Sequence, residues 1–349
     1  MIVYWMMLIF PALFVLSAVK VDQNLNRVML WLFGIVLVIL IGWRSEVGGD
    51  WIRYVDTAYG IQKGYDFDYL VFFKGDLAYR FIHWVSVNHL NGIYSTNLIC
   101  AVFFVAGLIR FSRTMPTPWL ALFVSIQFLV IAVAMGYTRQ ATAIGFLMWG
   151  LVDLANGKNT RFFVSVIFGS FFHYTVLIML VIGSLYLVKK YTFNYLFLLL
   201  LLIFTVYVFF IDSIENMIYY YITIKYHHSG GAIVRVFMNF SVAMIFFVYR
   251  KELDKKYNDN KLWFIFSIVS VALMPASFFY STFIDRIAIF FLPLQLVVLS
   301  RVSTLIESTY NRTIFIIGVI FIYFSALFVW LFFGNHSSYW LPYQNLLTL

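Results

Sequence analysis

The sequence predicts an all-α integral membrane protein that crosses the bilayer about twelve times, and three observations predict it. Of its 349 residues, 63% are hydrophobic and 11% are charged, whereas an ordinary soluble domain carries roughly 25% charged residues. A soluble fold of this length could not hide so much apolar surface. The apolar residues also fall in runs close to the ~20 needed to cross a bilayer. The charges gather between those runs, with the positive surplus on one side of the chain's path. A single cysteine, Cys100, excludes an intrachain disulfide and a cysteine-ligated metal. The net charge of +9 lies on no polar basic domain, which argues against nucleic acid.

In chain order, apolar runs fall at about 2–19, 28–43, 95–111, 118–135, 140–155, 192–211, 232–249, 262–279, 284–300 and 313–333. The first lacks a basic leader and a small-residue cleavage motif, so it reads as a retained helix rather than a signal peptide. The stretch 161–188 is too long for one upright span, and His173 near its middle divides it into two short helices. The whole chain, 1–349, then forms a single transmembrane domain. Its larger loops are 44–94, with an interfacial or re-entrant helix at 79–90, and the short 212–231. No internal repeat is evident.

Charge sets the sidedness. One group of loops holds 15 of the 24 basic residues against six of the 15 acids, and the other holds nine of each. The entire surplus therefore sits on one face, which the positive-inside rule makes cytoplasmic. Both termini then lie outside.

The external face carries Arg44, Arg53, Arg80, Arg139, Arg235 and Arg286 and all six histidines. Arg139, Arg235 and Arg286 sit within or at the ends of apolar runs, where a charge costs at least about 2.5–3.5 kcal/mol and normally meets a cavity or partner. Several at one level suggest a shared anionic pocket, because guanidinium forks bind phosphate bidentately and stay charged when desolvated. A single such arginine also fits a structural pairing, and Arg286 has Asp285 beside it. Gly48-Gly49 permits a tight turn that would clasp Arg44 to Asp50, a role ranked above Asp50 acting as a base. His173 fits either a hydrogen-bonded turn or a proton acceptor. Asp66-Phe67-Asp68 is formally a DxD, weak as a metal signal. No HExxH, Walker A or GxSxG occurs, so no metal or cofactor is expected. Trp51, Tyr54, Tyr219, Tyr221, Tyr339, Trp340 and Tyr343 fit an interfacial belt, or stacking on sugar rings.

GWRSEVGGDWIRY (42–54), YTRQATAIGF (137–146), FFHYTVLIML (171–180), a glycine-rich turn before Arg235, and DRIAIFFLPLQ (285–295) occur in order over nearly the whole chain. In these pieces the chain resembles the EpsG family, a branch of the Wzy-type O-antigen and capsule polymerases. The resemblance implies a multi-helix, GT-C-like glycosyltransferase scaffold. It implies joining of undecaprenyl-pyrophosphate-linked repeat units on the external face, without metal, alongside a chain-length regulator and a flippase. It marks Arg44, Asp50, Tyr54, Arg139, Gln140, His173, Arg235 and Arg286 as functional positions. Arg139, Arg235 and Arg286 are expected at the pyrophosphate, with Asp50 or His173 as base and Arg80 and Asp285 as further substrate-binding candidates. The long second external loop of many Wzy proteins is missing, since 212–231 is short. Competing expectations are an O-antigen ligase or other lipid-linked glycosyltransferase, with a different acceptor, and a lipid-linked glycan flippase, which should show internal repeats.

Overall fold

A computed structural model describes residues 1–17, 22–64, 76–188 and 231–347, with positions 200 and 219. The chain runs through α1 (Ile2–Leu16), α2 (Gln23–Gly42), α3 (Trp51–Gln62), α4 (Leu77–His89), α5 (Gly92–Arg113) and α6 (Pro118–Ser125). It continues through α7 (Thr138–Ala155), α8 (Asn159–Ser170), α9 (Ile178–Leu187), α10 (Ala232–Val248) and α11 (Arg250–Lys256). Then follow α12 (Asn260–Ser277), α13 (Ser281–Ala288), α14 (Pro293–Ser303) and α15 (Thr309–Phe333). Local chemistry starts several of these helices. Asp22 accepts from the Asn24 N–H at 2.9 Å ahead of α2, and Ser308 accepts from the Asn311 N–H at 3.3 Å ahead of α15. Pro118 and Pro293 occupy first turns, where no N–H is needed.

The chain is all-α in architecture and membrane-embedded. Four helices, α2, α5, α12 and α15, are long and apolar enough to cross a bilayer. The number rises to six if α10–α11, bent by 72°, and α13–α14, bent by 47°, each count as one span. The expectation of about twelve is therefore not met among the described residues. The apolar helices Ile2–Leu16, Pro118–Ala134 and Tyr174–Leu187 are shorter than a span requires, and the run expected at 192–211 and the loop at 212–231, apart from positions 200, 219 and 231, lie outside the described residues. So do Asp66 and Asp68. The long run at 161–188 does divide around His173, between α8 and the 3-10 turn Tyr174–Leu177 that leads into α9.

The helices pack closely where side chains vanish. A Cβ on Gly107 of α5 would sit 2.0 Å from the Gly145 carbonyl oxygen of α7, and one on Gly145 would sit 2.6 Å from Phe104 Cα. This is the small-residue contact that brings helix backbones together in a lipid solvent, where hydrophobicity alone gives no drive.

α6 passes into a π-helix, Ile126–Ala134, all of whose side chains are buried. π-helices are rare and concentrate at functional sites. Its Ile131 carbonyl accepts the Trp340 indole N–H at 2.9 Å. The segment holding Trp340 is fastened from several sides. The Tyr4 hydroxyl donates to the Trp340 carbonyl at 2.7 Å, and the Gly48 N–H donates to the Tyr339 carbonyl at 2.8 Å. A two-residue antiparallel ladder pairs Arg44–Ser45 (β1) with Gln344–Asn345 (β2). Trp340 is thus a buried strut rather than a sugar platform, and Tyr343 donates to the Leu40 carbonyl at 2.9 Å.

At the other end of the bundle, Arg110 forks onto Asp153 and Arg301 onto Asp259, with N–O distances of 2.7 to 3.0 Å. Arg110 and Arg301 lie in the last turns of α5 and α14, the helix end that favours a cation.

The α5–α7 crossing gives a paired prediction. Gly145→Ala should lower the melting midpoint of the detergent-solubilised protein, at an overpacking cost of about 1–3 kcal/mol. Gly318→Ala in α15, with nothing within 4 Å of its Cβ position, should hold or raise it, because alanine is the better helix former. Fluorescence-detected size exclusion after heating measures both.

Candidate functional site

The first turn of α7 organises the polar chemistry. Successive helical residues point about 100° apart, so the residues at this helix start reach different neighbours. The Thr138 hydroxyl accepts from Arg44 Nη2 at 2.7 Å and donates to Asn97 at 3.1 Å. Arg139 donates through Nη1 to Asp76 at 2.8 Å. The Gln140 amide donates to the Arg286 carbonyl at 2.9 Å, and its oxygen accepts from Arg286 Nη1 at 3.2 Å. The Arg286 guanidinium lies 4.2 Å from the centre of the Tyr137 ring.

Arg44 is 1% exposed and clasps its loop, though not through Asp50. It donates to the Ile41 carbonyl at 2.6 Å and the Val47 carbonyl at 3.1 Å as well as to Thr138. The expected Arg44–Asp50 clasp does not form because Gly48 turns the chain against the end of the π-helix. Gly48 has φ +113°, and a Cβ there would lie 2.0 Å from the Met135 carbonyl oxygen. Asp50 instead precedes α3, with its carboxylate 3.5 Å from the Tyr54 hydroxyl.

The pairing expected of neighbours in sequence also changes. Asp285 and Arg286 diverge around α13, and Asp285 is gripped by the buried Arg235 fork of α10, with Nε at 2.7 Å from Oδ1 and Nη2 on Oδ2. Arg235, for which the sequence offered no nearby acid, thus has a buried one. Behind this pair, Tyr323 donates to Gln295, Gln295 to Asn239 at 2.6 Å, and Asn239 to the Ala288 carbonyl at 3.0 Å. This satisfied buried chain fixes α13 against α10, α14 and α15.

The other half of the site lies between α3, α4, α5 and the 171–173 turn. Asp76, which the sequence marked only as one acid among nine in the external set, is 5% exposed and sits immediately before α4 in the left-handed region, φ 57°. One of its oxygens takes the Arg139 bond, and the other faces His173 Nδ1 at 3.6 Å. The Ala78 N–H donates to the Phe171 carbonyl at 2.9 Å, which ties the two segments together. Arg139 lies beside the rings of Tyr54 and Tyr79, at 5.9 and 5.8 Å from their centres. Arg80 occupies the first turn of α4, half-buried, within electrostatic range of Asp76 and Arg139.

Burial pushes the Asp76 carboxyl up, but His173, Arg139 and Arg80 together outweigh it and hold the group below its ordinary value. Burial, reinforced by Asp50 and opposed by Arg139, pushes the Tyr54 phenol up to about 12. Tyr54 is therefore a neutral donor at working pH. Among the described residues, no three His, Cys, Asp or Glu side chains gather as a metal site would require.

The placement of the arginines is informative. Arg80, Arg139 and Arg235 each fall within the first four residues of a helix, where the macrodipole disfavours a cation by typically 0.3–1 kcal/mol. At the opposite end the two arginines that hold buried acids, Arg110 and Arg301, sit in last turns where the dipole favours them, while Arg161, Arg250 and Arg312 begin helices without being buried. Around the α7 start, Arg44, Arg80, Arg139, Arg235 and Arg286 face Asp50, Asp76 and Asp285, so positive charge exceeds negative by two. Helix N-termini and guanidinium groups together suit a doubly charged anion.

His83 of α4 is fully buried, with Nδ1 3.0 Å from the Thr96 hydroxyl, and burial pushes it down to about 4. The folded state resists protonation that the unfolded chain accepts near its ordinary pKa of ~6.5. Stability is therefore lost as pH falls from about 6.5 toward 4, at up to about 1.4 kcal/mol per pH unit. Asp76, held low, adds its own loss only below its ordinary carboxylate range. The melting midpoint should accordingly drop between pH 7 and pH 5, and His83→Gln should flatten that drop.

Among comparisons with known proteins, a family model described as the EpsG family matches residues 27–345, nearly the whole chain. Nothing among the curated proteins or the solved structures matches.

Proposed function

The chain belongs to the EpsG family, and from that premise we propose that it is a Wzy-type polysaccharide polymerase. In this reading it joins oligosaccharide repeat units carried on undecaprenyl pyrophosphate, at the external face of the bacterial cell membrane. The observation that carries the proposal is the arginine cluster around the α7 start, placed against the helix dipoles and beside a carboxylate–imidazole pair.

The chemistry is a glycosyl transfer. A hydroxyl of the acceptor glycan attacks the anomeric carbon of the donor. The new C–O bond forms as the bond to lipid pyrophosphate breaks, and the leaving pyrophosphate keeps the electron pair. Its developing charge is the largest electrostatic demand, and preorganised donors in a dry site meet it best. Arg139, whose side chain is 25% exposed, and Arg286, half-buried against Tyr137 and Gln140, offer the accessible guanidinium groups. Arg235, closed onto Asp285, supports them through its charge and by fixing α13. His173, 18% exposed and next to Asp76, takes the hydroxyl proton. Asp50 is the second candidate base, close enough to add its field at Arg139. Lipid pyrophosphate is already an activated leaving group, so the scheme uses no metal. Apolar grooves between helices would hold the polyprenyl tail.

Purified protein given lipid-linked repeat units alone should produce a ladder of polymer lengths that chelator does not abolish. Arg139→Ala should cut the rate by about 10²–10³, the scale for losing one donor to a developing oxyanion, while the protein stays folded in the membrane. Wild-type yield from Arg139→Ala would remove the residue from the mechanism. Transfer to a different acceptor without a ladder would favour a ligase. Movement of the glycan across liposomes without new glycosidic bonds would favour a flippase.

A further inference from the structure

Asp76 has two properties that a merely structural acid does not need. It is a buried non-glycine residue in the left-handed region, a conformation that costs about 1 kcal/mol and collects at functional sites. Among the described residues only one of its oxygens has a hydrogen-bond partner: Oδ2 takes the Arg139 bond, whereas Oδ1 and the facing His173 Nδ1 are both buried without one, 3.6 Å apart. That gap is too long for a hydrogen bond, yet a shift of a few tenths of an ångström closes it. Catalytic bonds are often this loose before substrate arrives. The backbone bond from Ala78 to Phe171 keeps carboxylate and imidazole in register.

Resting on the polymerase reading above, we propose that Asp76 is a positioning residue. It accepts the Nδ1–H of His173, holds the imidazole in that tautomer, and leaves Nε2 free to take the proton of the attacking hydroxyl. The charged groups facing Asp76 are His173 from the 171–173 turn, Arg139 from α7 and Arg80 from its own helix. The two guanidinium groups keep the carboxylate ionised, so it does not compete with His173 for the proton. When His173 takes the proton, the carboxylate faces an imidazolium across the same gap and stabilises it. Arg139 thereby links the two halves of the reaction, one face of its guanidinium anchored to the base's partner and the rest open toward the leaving group.

Two measurements test this. The first needs no substrate. In protein labelled with 15N-histidine, with the His173 signal identified by its loss in His173→Gln, the neutral ring should be protonated at Nδ1. In Asp76→Asn that tautomer should lose its preference. An Nε2–H tautomer in the wild-type protein overturns the proposal whether or not the chain proves to be a polymerase. The second uses the polymer ladder. Asp76→Asn should lower kcat by about 10²–10⁴, the scale for losing an orienting carboxylate, with KM changed by less than about threefold. The acidic limb of the pH–rate profile should move down by roughly one unit. Asp76→Glu should restore part of kcat. A wild-type enzyme that makes the ladder, with an Asp76→Asn variant of unchanged kcat and pH profile, overturns the role of Asp76 and leaves the polymerase standing. A wild-type protein that makes no ladder overturns the polymerase, and the tautomer measurement still decides whether Asp76 orients His173. If Asp76→Asn fails to fold, the wild-type tautomer and Asp76→Glu carry the test.

Discussion

The start of α7 is the constraint on which the rest of the site depends. Four consecutive residues, Tyr137 to Gln140, hold or present Arg44, Arg139 and Arg286, and Arg286 shares α13 with Asp285, the partner of Arg235. A helix N-terminus is an unfavourable address for cations. The arrangement persists because three buried or half-buried acids offset three of the five positive charges and neutral tyrosine rings lie beside Arg139 and Arg286, leaving two positive charges over. The geometry is held from behind by the π-helix and by the glycine contact between α5 and α7, which lets α7 approach its neighbour closely enough for Thr138 to reach Asn97.

The arginines that hold buried acids meet the helix dipole in two ways. Arg110 and Arg301 lie at helix C-termini and are locked bidentately to Asp153 and Asp259, an arrangement in which dipole, charge and hydrogen bonding agree. Arg80, Arg139 and Arg235 lie at N-termini, where the dipole opposes them. Among these ion pairs the local rules agree for Arg110 and Arg301 and conflict for Arg139 and Arg235, and the conflict marks the α7 region as the one under functional demand.

Much of this was legible in the sequence, and the misses have physical causes. The unusual arginines announce themselves because a charge in an apolar run is costly and rare, and the break at His173 follows from run length together with a titratable residue near the middle of the run. Pairing is not legible, since adjacent helical residues point about 100° apart. Asp285 therefore serves a distant helix rather than Arg286, and Arg44 turns to carbonyls and Thr138 rather than to Asp50. Asp76 carries no periodic or motif signal, and its importance lies in a backbone conformation and a contact with residues nearly a hundred positions away. The span count suffers because apolar run length does not distinguish a full crossing from the short, bent and π-helical pieces that this chain uses around its polar site.

The ladder between Arg44–Ser45 and Gln344–Asn345, with Trp340 wedged against the π-helix, has a consequence for biogenesis. The loop that leads into α3 is synthesised before α3 to α15, yet its backbone partner is made only after α15. During insertion the loop must therefore wait, incompletely braced, while all of those helices are made. A chain stalled before that ladder forms would hold the arginines of the site without the clasp that sets their stage.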